Sequence, residues 1–258
     1  MQGLLQDKVA IITGAGSGVG RAAVLLFAEH GAKVVAADIN LGAVDEVAAE
    51  VAAQGGEALA VECDVTSADS VNALVAAAVD RFGRLDVMYN NAGITTQPGQ
   101  TFMDASDEDL LKLTSVNVGG VIHGCKSAIR QFEAQGGGGS IVITASVAGL
   151  IGFGGVVYGS SKGAVTSITR GLALEVAKKG IRVNSVCPAA MPTNFGGGVL
   201  KANEMARQHT AGYHPLGRVI EPEECAAGAL FLASDLASNI TGVNLPVDGG
   251  LSAGKPMG

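Results

Sequence analysis

Short apolar runs alternate with segments of helical periodicity along the whole chain, and this alternation restricts the possible folds more than any other feature of the sequence. The runs have no internal polar alternation, which is typical of strands buried on both faces of a parallel sheet. Strands that alternate with helices join through right-handed crossovers. The pattern predicts an α/β fold, a doubly wound parallel sheet of about seven strands flanked by helices. The predicted strands are Lys8–Thr13, Lys33–Asp38, Ala58–Asp64, Leu85–Asn90, Ser140–Ser146, Ile181–Cys187 and Ile240–Val247, and the predicted helices are 18–30, 41–54, 67–82, 107–134, 157–179 and 221–234.

The size and charge of the chain argue against several kinds of protein. Its 258 residues carry a net charge of −7, and this length fits one α/β domain over residues 1–258. There is no lysine- and arginine-rich run of the kind that contacts nucleic-acid phosphates or anionic lipids. No segment approaches the roughly 20 apolar residues of a membrane span, and the N-terminus lacks the pattern of a signal peptide. We therefore expect a cytoplasmic protein that binds neither nucleic acid nor membrane.

The cysteines and histidines are far apart in the sequence and lack the spacing of metal ligands. No CxxC motif occurs, which favours reduced, buried thiols over a disulfide framework or a zinc site. We therefore expect no metal. The residues concerned are Cys63, Cys125, Cys187, Cys225, His30, His123, His209 and His214.

A glycine-rich segment, Thr13–Gly20 (TGAGSGVG), joins the first predicted strand to the first predicted helix. Glycines at such a place let the backbone approach a pyrophosphate, and the helix N-terminus offers free N–H groups and a partial positive charge. A glycine-rich loop alone is weak evidence, but its position between strand and helix is the context that a dinucleotide site requires. We predict a dinucleotide-binding loop in preference to an ordinary turn.

Asp38 ends the second predicted strand, 18 residues after Gly20. An acidic residue at about this distance accepts hydrogen bonds from the adenosine ribose of NAD, whereas an NADP site usually adds a basic residue for the 2′-phosphate. Ser17 and Ile39 are not basic, and Arg21 lies one position beyond the last glycine. The sequence therefore favours NAD over NADP. The same aspartate is also placed to cap the following helix.

Tyr158 and Lys162 are four positions apart on a predicted helix, so their side chains project from one face. Ser146 ends the fifth predicted strand, 12 residues before Tyr158. Asn117 lies inside a predicted helix, where asparagine is disfavoured. Each residue taken alone has a purely structural explanation, such as a strand-end serine or a solvated lysine. Together they are candidates for a catalytic group.

These residues belong to a longer series of motifs. The series is TGAGSGVG at 13–20, CDV at 63–65, NNAG at 90–93, Asn117, Ser146, YGSSK at 158–162, RVNSVCP at 182–188 and VDGG at 247–250. In its order and spacing it resembles the short-chain dehydrogenase/reductase family over the whole chain. The resemblance implies a single-domain Rossmann-type fold and an oxidoreductase that transfers a hydride between a nicotinamide cofactor and an alcohol or ketone. It implies that the catalytic residues are Asn117, Ser146, Tyr158 and Lys162.

The chemistry of hydride transfer gives these residue types a reason. A ketone that receives a hydride requires a proton donor, and the reverse reaction requires a base. A cation ~5 Å from a phenol, at an effective dielectric of ~20, is worth about 3 kcal/mol, or roughly two pKa units. We therefore expect Lys162 to lower the pKa of Tyr158, with a further contribution from the positive nicotinamide ring of NAD⁺. Ser146 is expected to bind the substrate oxygen. The resemblance implies that Lys162 also binds the nicotinamide ribose and that Asn117 positions a water in a proton relay.

The resemblance also implies which residues bind the cofactor. The family usually has Pro-Gly where this chain has Pro188-Ala189, and alanine tolerates a positive φ poorly. We therefore expect the backbone or the pocket volume beside the nicotinamide to differ from the family pattern. The implied cofactor-binding residues are Gly14, Gly16, Ser17, Gly18, Val19, Gly20, Asp38, Ile39, Asp64, Val65, Asn91, Ala92, Gly93, Tyr158, Lys162, Pro188, Met191 and Thr193.

The segment 189–215 combines glycines with apolar side chains. Such a composition suits a lid that closes over a small, mostly apolar secondary alcohol or ketone. An irregular surface loop with a packed short helix is the alternative. Phe153, Val156 and Val157 are expected to extend the apolar wall.

Two other functions share this fold. An NADPH-dependent 3-oxoacyl-carrier-protein reductase would need a basic residue near position 17 or 39 and a basic docking face, and neither is visible. A non-catalytic nucleotide-sensing protein would be expected to lack Ser146, Tyr158 or Lys162, and all are present. By family analogy alone, we expect a homotetramer packed through the helices around the fifth strand and through the last helix and strand.

Overall fold

The structure, a computed structural model, describes residues 3–254; residues 1–2 and 255–258 of the predicted domain lie outside this range. The strands are β1 (Val9–Thr13), β2 (Lys33–Asp38), β3 (Glu57–Glu62), β4 (Val87–Asn90), β5 (Gly139–Thr144), β6 (Ile181–Pro188) and β7 (Asn244–Val247). The helices are α1 (Gly18–Glu29), α2 (Leu41–Ala53), α3 (Ala68–Phe82), α4 (Asp107–Thr114), α5 (Gly120–Gln135), α6 (Val156–Val176), α7 (Val199–Ala202), α8 (Glu204–Ala211) and α9 (Pro222–Ala233).

The strands form one sheet in the order β3-β2-β1-β4-β5-β6-β7, and every neighbouring pair is parallel. The predicted doubly wound parallel sheet is therefore confirmed. The chain moves outward from β1 to β2 and β3, then returns to β4 beside β1 and moves outward in the other direction. This reversal leaves a crevice beyond the carboxyl ends of β1 and β4, which is where sheets of this type bind their ligands.

Hydrophobic side chains cover both faces of the sheet, as the lack of polar alternation predicted. All five residues of β1 are buried. Successive side chains of a strand point to opposite faces: Ile12 packs with residues of α1 and α9, and Ile11 with residues of α3 and α5. A strand covered by helices on both sides needs apolar residues at every position.

The structure corrects the boundaries of several predicted elements. The single helix predicted over 107–134 is wrong, because a π-helical turn, Ser115–Gly119, separates α4 from α5. The strand predicted over 240–247 is confirmed only over β7, since Gly242 has a φ of +79°, which an extended strand does not accommodate. β5 ends at Thr144 rather than at Ser146. β3 ends at Glu62, so Asp64 follows the strand instead of ending it.

The segment 189–215 is partly helical and contains α7 and α8. A short 3₁₀ turn, Phe195–Gly198, precedes α7. Within residues 3–254, no helix has both the length and the apolar character that crossing a membrane requires.

Candidate active site

A cavity of about 950 Å³ opens beyond the carboxyl ends of the strands, between the sheet and the segment 189–215. Its wall comes from the segments that follow the first six strands. Most of the residues predicted to bind cofactor or substrate line it, namely Gly14, Ser17, Gly18, Val19, Asp38, Ile39, Asp64, Val65, Asn91, Ala92, Gly93, Ser146, Tyr158, Lys162, Pro188, Met191 and Thr193. Gly16, Gly20 and Asn117, which were also predicted, are absent from this wall.

The glycines between β1 and α1 are needed for close backbone packing. Gly14 has a φ of +64°, and a Cβ there would lie 2.8 Å from the Cα of Ala92. A Cβ on Gly20 would lie 2.0 Å from the carbonyl oxygen of Gly14, and one on Gly16 would lie 2.8 Å from the Cβ of Ala43. Gly16 and Gly20 therefore contribute to the packing of the loop rather than to the cavity wall. Their role is to let the loop fold tightly enough to present its N–H groups and the start of α1 to a pyrophosphate.

Asp38 stands at the end of β2 and supports the glycine loop directly. Its Oδ2 accepts a hydrogen bond of 3.1 Å from the N–H of Gly16, and its Oδ1 accepts one of 3.0 Å from the N–H of Asn40. The cap of α2 is Asn40, whose side chain accepts from the N–H of Ala43. The carboxylate of Asp38 therefore has a structural role and also lines the cavity.

Arg21 is the basic residue nearest in sequence to the glycine loop. Its guanidinium forms an ion pair with Glu50 of α2. A guanidinium held by a carboxylate in this way is less available to a phosphate, because the carboxylate already uses its charge and its donors.

Tyr158, Lys162 and Ser146 meet at the centre of the cavity wall. Tyr158 and Lys162 lie on α6, and the Nζ of Lys162 lies 5.8 Å from the centre of the Tyr158 ring. Ser146 follows β5, and its hydroxyl accepts a hydrogen bond of 3.1 Å from the N–H of Ala148. The ammonium of Lys162 is buried and donates a hydrogen bond of 2.8 Å to the carbonyl oxygen of Thr144. The packing of α6 against β6 and against the 3₁₀ turn that follows Ser146 thus brings the three predicted side chains together.

The electrostatics of this pair differ from the sequence expectation. Burial raises the pKa of Tyr158 to about 12, and the Ser146 hydroxyl opposes the shift only in part. Burial also lowers the pKa of Lys162 to about 8. The expected lowering of the Tyr158 pKa by Lys162 is therefore wrong for the protein by itself. The physical reason is that burial disfavours the charged form of each group and is the largest cause of both shifts.

Asn117 lies in the π-helical turn and is fully buried. Its Oδ1 accepts from the N–H of Ile94 at 2.8 Å, and its Nδ2 donates to the carbonyl of Ile94 at 2.9 Å and to the hydroxyl of Ser161 at 3.1 Å. Both donor hydrogens of the amide are thus in use. The side chain ties the segment after β4 to α6, which explains an asparagine inside a helical stretch.

Sequence reasoning missed part of the substrate side of the cavity. The phenyl ring of Phe195 lies edge-on to Tyr158, with 6.0 Å between the ring centres. The strand-end signal pointed to Asn91–Gly93 but stopped before 94–98, which continues along the wall. Apolar side chains dominate this part of the cavity, including Ile94, Val116, Val147, Ala148, Phe153, Val199 and Leu200. Phe153 was expected on this wall and lies on it, whereas the expectation for Val156 and Val157 is wrong, because Val156 is exposed and Val157 is buried away from the cavity wall.

Cysteines and histidines form no metal centre in the part of the chain that the structure describes, where no cluster of three or more potential ligands occurs. The four cysteines are buried and free. His123 contacts the carbonyl of Val65 at 3.0 Å. His214 is buried, and its Nδ1 lies 3.0 Å from the carbonyl oxygen of Thr210.

Replacing Lys162 by methionine is expected to stabilise the ligand-free protein more at about pH 7 than at about pH 10. Burial holds the pKa of Lys162 near 8 against 10.5 for an ordinary lysine, so between these values the unfolded state binds the proton more strongly. The burial penalty is complete below about pH 8 and shrinks as the pH rises toward 10.5. At 1.36 kcal/mol per pKa unit the full penalty is about 3 kcal/mol, and the wild type should regain most of it, about 2.5 kcal/mol, relative to the variant between pH 7 and pH 10.

Urea unfolding of both proteins at the two pH values measures this difference. Lys126→Met, at an exposed position of α5, is the matched control and should show no such dependence. A stability difference between wild type and Lys162→Met that is the same at both pH values would contradict the burial argument.

The chain is similar in sequence to several known proteins. Residues 14–252 match the family model described as Enoyl-(Acyl carrier protein) reductase. The chain is 42% identical over 254 residues to a 2,5-dichloro-2,5-cyclohexadiene-1,4-diol dehydrogenase of Sphingobium indicum, covering 98% of this chain and 100% of that protein. It is 41% identical to meso-2,3-butanediol dehydrogenase of Serratia marcescens, over 97% of each chain. It is 40% identical to cyclohexanol dehydrogenase of an Acinetobacter species, over 96% of each chain.

A similar relation holds among solved structures. The crystal structure of a short-chain type dehydrogenase/reductase from Mycobacterium marinum has a TM-score of 0.90 and 36% sequence identity, with 97% of each chain covered. The similarity therefore extends over the whole domain and includes every element that lines the cavity.

Proposed function

Because this chain belongs to the short-chain dehydrogenase/reductase family, we propose that it is an NAD-dependent oxidoreductase that interconverts a small, mostly apolar secondary alcohol and its ketone. The observation that carries the proposal is the meeting of Ser146, Tyr158 and Lys162 on one wall of a large cavity, beside a glycine loop at the start of α1. Three related proteins are named for oxidising an alcohol or diol. Their names support the reaction type.

The proposed mechanism assigns the proton chemistry to the side chains. The cofactor, when bound, accepts or donates the hydride and in its oxidised form adds a positive charge beside the phenol. Tyr158, whose pKa is about 12 in the protein alone, is a protonated phenol at neutral pH and therefore donates a proton to a ketone oxygen. In the oxidation direction it must first lose that proton, which nearby positive charge favours. Lys162, with a pKa of about 8, is mostly cationic at neutral pH and supplies part of that charge.

Ser146 has the role of orienting the substrate oxygen beside Tyr158. Its hydroxyl accepts from the N–H of Ala148 and lies 3.4 Å from the carbonyl oxygen of Pro188. The hydroxyl donates its hydrogen to that carbonyl and only has to turn it toward the substrate oxygen, because the Ala148 N–H keeps the hydroxyl oxygen in place. Fixed positioning of this kind lowers the entropic cost of the reaction. We propose that Asn117 acts through its bonds to Ile94 and Ser161, which hold the segment after β4 against the first turns of α6, where a nicotinamide would be bound.

The preference for NAD is proposed on three features of the adenosine end of the cavity. Asp38 lines it and repels a 2′-phosphate. Ile39, exposed and apolar, gives no counter-charge. Arg21 is engaged by Glu50. The proposed cofactor-binding residues are the ones that the family resemblance implied. Among them, Gly16 and Gly20 are proposed to act by allowing the tight packing of the loop.

The substrate proposal rests on the apolar wall around Tyr158. Phe153 and Phe195 place aromatic rings near the reacting position, and Val147 and Leu200 add aliphatic surface. The hydroxyl groups of a sugar would lack hydrogen-bond partners on such a wall, whereas a hydrocarbon has no polar group to satisfy. The wall therefore favours a hydrocarbon ring or a short aliphatic chain over a sugar. The segment 189–215 is proposed to close over it as a lid.

A screen of secondary alcohols and ketones, followed by the absorbance of the reduced nicotinamide, tests the proposed function. We expect turnover of cyclic and short aliphatic secondary alcohols with NAD⁺ and much slower turnover with NADP⁺. Equal or better turnover with NADP⁺ would remove the argument from Asp38. Turnover only of acyl-carrier-protein thioesters, with NADPH, would favour the carrier-protein reductase instead. Binding of NADH without turnover of any alcohol or ketone would favour a sensing protein.

Replacing Asp38 by alanine is expected to weaken NADH binding about tenfold, a loss of about 1.4 kcal/mol, and to reduce the discrimination against NADPH. The charge that repels a 2′-phosphate is then lost, together with the acceptor of the Gly16 N–H. Dissociation constants for NADH and NADPH measure both effects. Asp38→Asn separates them, because it removes the charge and keeps an oxygen acceptor. Asp45→Ala, on the exposed side of α2, is the control, and an Asp38→Ala variant indistinguishable from it would refute the assignment.

We propose a homotetramer located in the cytoplasm as the working state. The tetramer is argued from family analogy. Four free, buried cysteines fit a reducing compartment. Sedimentation of the purified protein tests the oligomeric state.

A further inference from the structure

A row of hydroxyl and amide groups runs from the buried Tyr89 to the half-buried Thr144 and Asn91 beside the glycine loop. Tyr89 in β4 is fully buried, and its ring stacks on Phe27 with 6.2 Å between ring centres and an angle of 13° between the planes. Its hydroxyl oxygen lies 2.9 Å from the Oγ1 of Thr144. The same Oγ1 lies 2.9 Å from the Oδ1 of Asn91. The row therefore links two neighbouring strands at the edge where the cavity opens.

The direction of each hydrogen bond follows from what its atoms can donate. The Nδ2 of Asn91 donates to the carbonyl oxygens of Thr13 at 3.0 Å and of Gly14 at 3.3 Å. Because carbonyls only accept, the amide orientation is determined, and its Oδ1 must receive the single hydroxyl hydrogen of Thr144. The phenol of Tyr89 is then the donor to Thr144. Burial raises the pKa of Tyr89 well above its ordinary value, so its hydrogen is retained.

Thr144 also contacts Lys162 through its main chain. Its carbonyl oxygen accepts the hydrogen bond of 2.8 Å from the Nζ of Lys162. One residue at the end of β5 thus supports the glycine loop through its side chain and Lys162 through its backbone. The backbone N–H groups of Asn91 and Ala92 donate to the hydroxyl of Thr13 at 3.0 and 3.1 Å, which extends the connection to the end of β1.

We propose that Thr144, oriented by the hydroxyl of Tyr89, is a positioning residue that couples the shape of the glycine loop to the placement of Lys162. The catalytic consequence rests on the proposed function. The structural consequence, a loop held in its binding shape before any cofactor arrives, does not. Without the hydroxyl, the Oδ1 of the half-buried Asn91 loses its donor, and the amide that donates to the Gly14 carbonyl is free to turn.

Thr144→Val tests the proposal, because it removes the hydroxyl while nearly preserving side-chain shape. We expect the dissociation constant of NADH to rise about tenfold. In the ligand-free protein, we expect faster amide hydrogen exchange in the peptide covering residues 13–20. Thr144→Ser keeps the hydroxyl and should restore both values to within about twofold. Thr169→Val is the matched control, since Thr169 is fully buried and its hydroxyl donates only to Val165 in the same helix. It should leave both values unchanged even where it lowers the melting temperature.

Tyr89→Phe completes the experiment. If the phenol acts through Thr144, the double variant Tyr89→Phe with Thr144→Val should bind NADH as Thr144→Val does alone. Additive losses would show that Tyr89 acts separately. A Thr144→Val protein that exchanges and binds like Thr169→Val would overturn the proposal. If the wild type binds no NADH, the proposed function fails, while the exchange rates still decide whether Thr144 holds the loop.

Discussion

Replacing Tyr158 by phenylalanine is expected to lower kcat about a thousandfold while changing the dissociation constant of NADH less than about twofold, in line with the usual contribution of a general acid or base. Of the two hydroxyls in the Ser146–Tyr158–Lys162 site, the phenol is the more acidic, so it is the one expected to donate and regain a proton at the substrate oxygen. Phenylalanine keeps the ring and its edge-on contact with Phe195. The shape of the cavity is therefore preserved.

Steady-state kinetics with the best substrate of the screen and a binding titration with NADH measure the two quantities. Tyr213→Phe is the control, because Tyr213 is exposed and its hydroxyl contacts only His209, at 3.1 Å, in the part of the chain that the structure describes. Retention of a tenth or more of the wild-type kcat by Tyr158→Phe would remove the phenol from the proposed chemistry.

Replacing Gly20 by alanine is expected to abolish measurable NADH binding and to lower the free energy of unfolding by about 2–3 kcal/mol, as overpacking usually does. The new Cβ would lie 2.0 Å from the carbonyl oxygen of Gly14 and 2.7 Å from the Nδ2 of Asn91. These two atoms are hydrogen-bonded to each other and hold the glycine loop in its shape. The loop or the first turn of α1 must therefore move to relieve the clash. Isothermal titration with NADH and urea unfolding measure the two effects.

The matched control is Gly171→Ala in α6. A Cβ there meets nothing within 4 Å, and alanine is the better helix former, so this variant should gain up to about 1 kcal/mol. The contrast separates a steric effect at Gly20 from the general effect of replacing a helical glycine. A Gly20→Ala protein that binds NADH as the wild type does would contradict the packing of the loop described above.

The raised pKa of Tyr158 has a consequence for the direction of the reaction. A neutral phenol at physiological pH is ready to protonate a ketone, whereas oxidation of an alcohol requires the tyrosinate. Because burial is the largest cause of the shift, positive charge brought into the cavity should lower the pKa again. Oxidation is therefore expected to speed up as the pH rises, and reduction is expected to depend less on pH in the neutral range.

Much of the fold follows from local patterns in the sequence. An unbroken apolar run such as Val9–Thr13 specifies a strand covered on both faces, and alternation with helices specifies a parallel sheet. The glycine loop and Asp38 could be assigned because they lie at the ends of β1 and β2, two strands that are consecutive in the sequence. Tyr158 and Lys162 share a helix face, which the spacing of four residues determines. These are properties of one element or of two consecutive elements.

Other features depend on atoms that are distant in sequence, and the sequence predicted them wrongly or not at all. The pKa of Tyr158 depends on how much water the surrounding elements exclude, which spacing does not specify, so a Coulomb estimate that left out burial did not predict the raised pKa of the protein alone. The helix predicted over 107–134 is divided by a π-helical turn that lets Asn117 reach Ile94 and Ser161. The bonds of Thr144 with Tyr89, Asn91 and Lys162 join residues of different strands and of α6. Periodicity reports which face of an element is buried, but only the packed structure decides which buried polar groups meet.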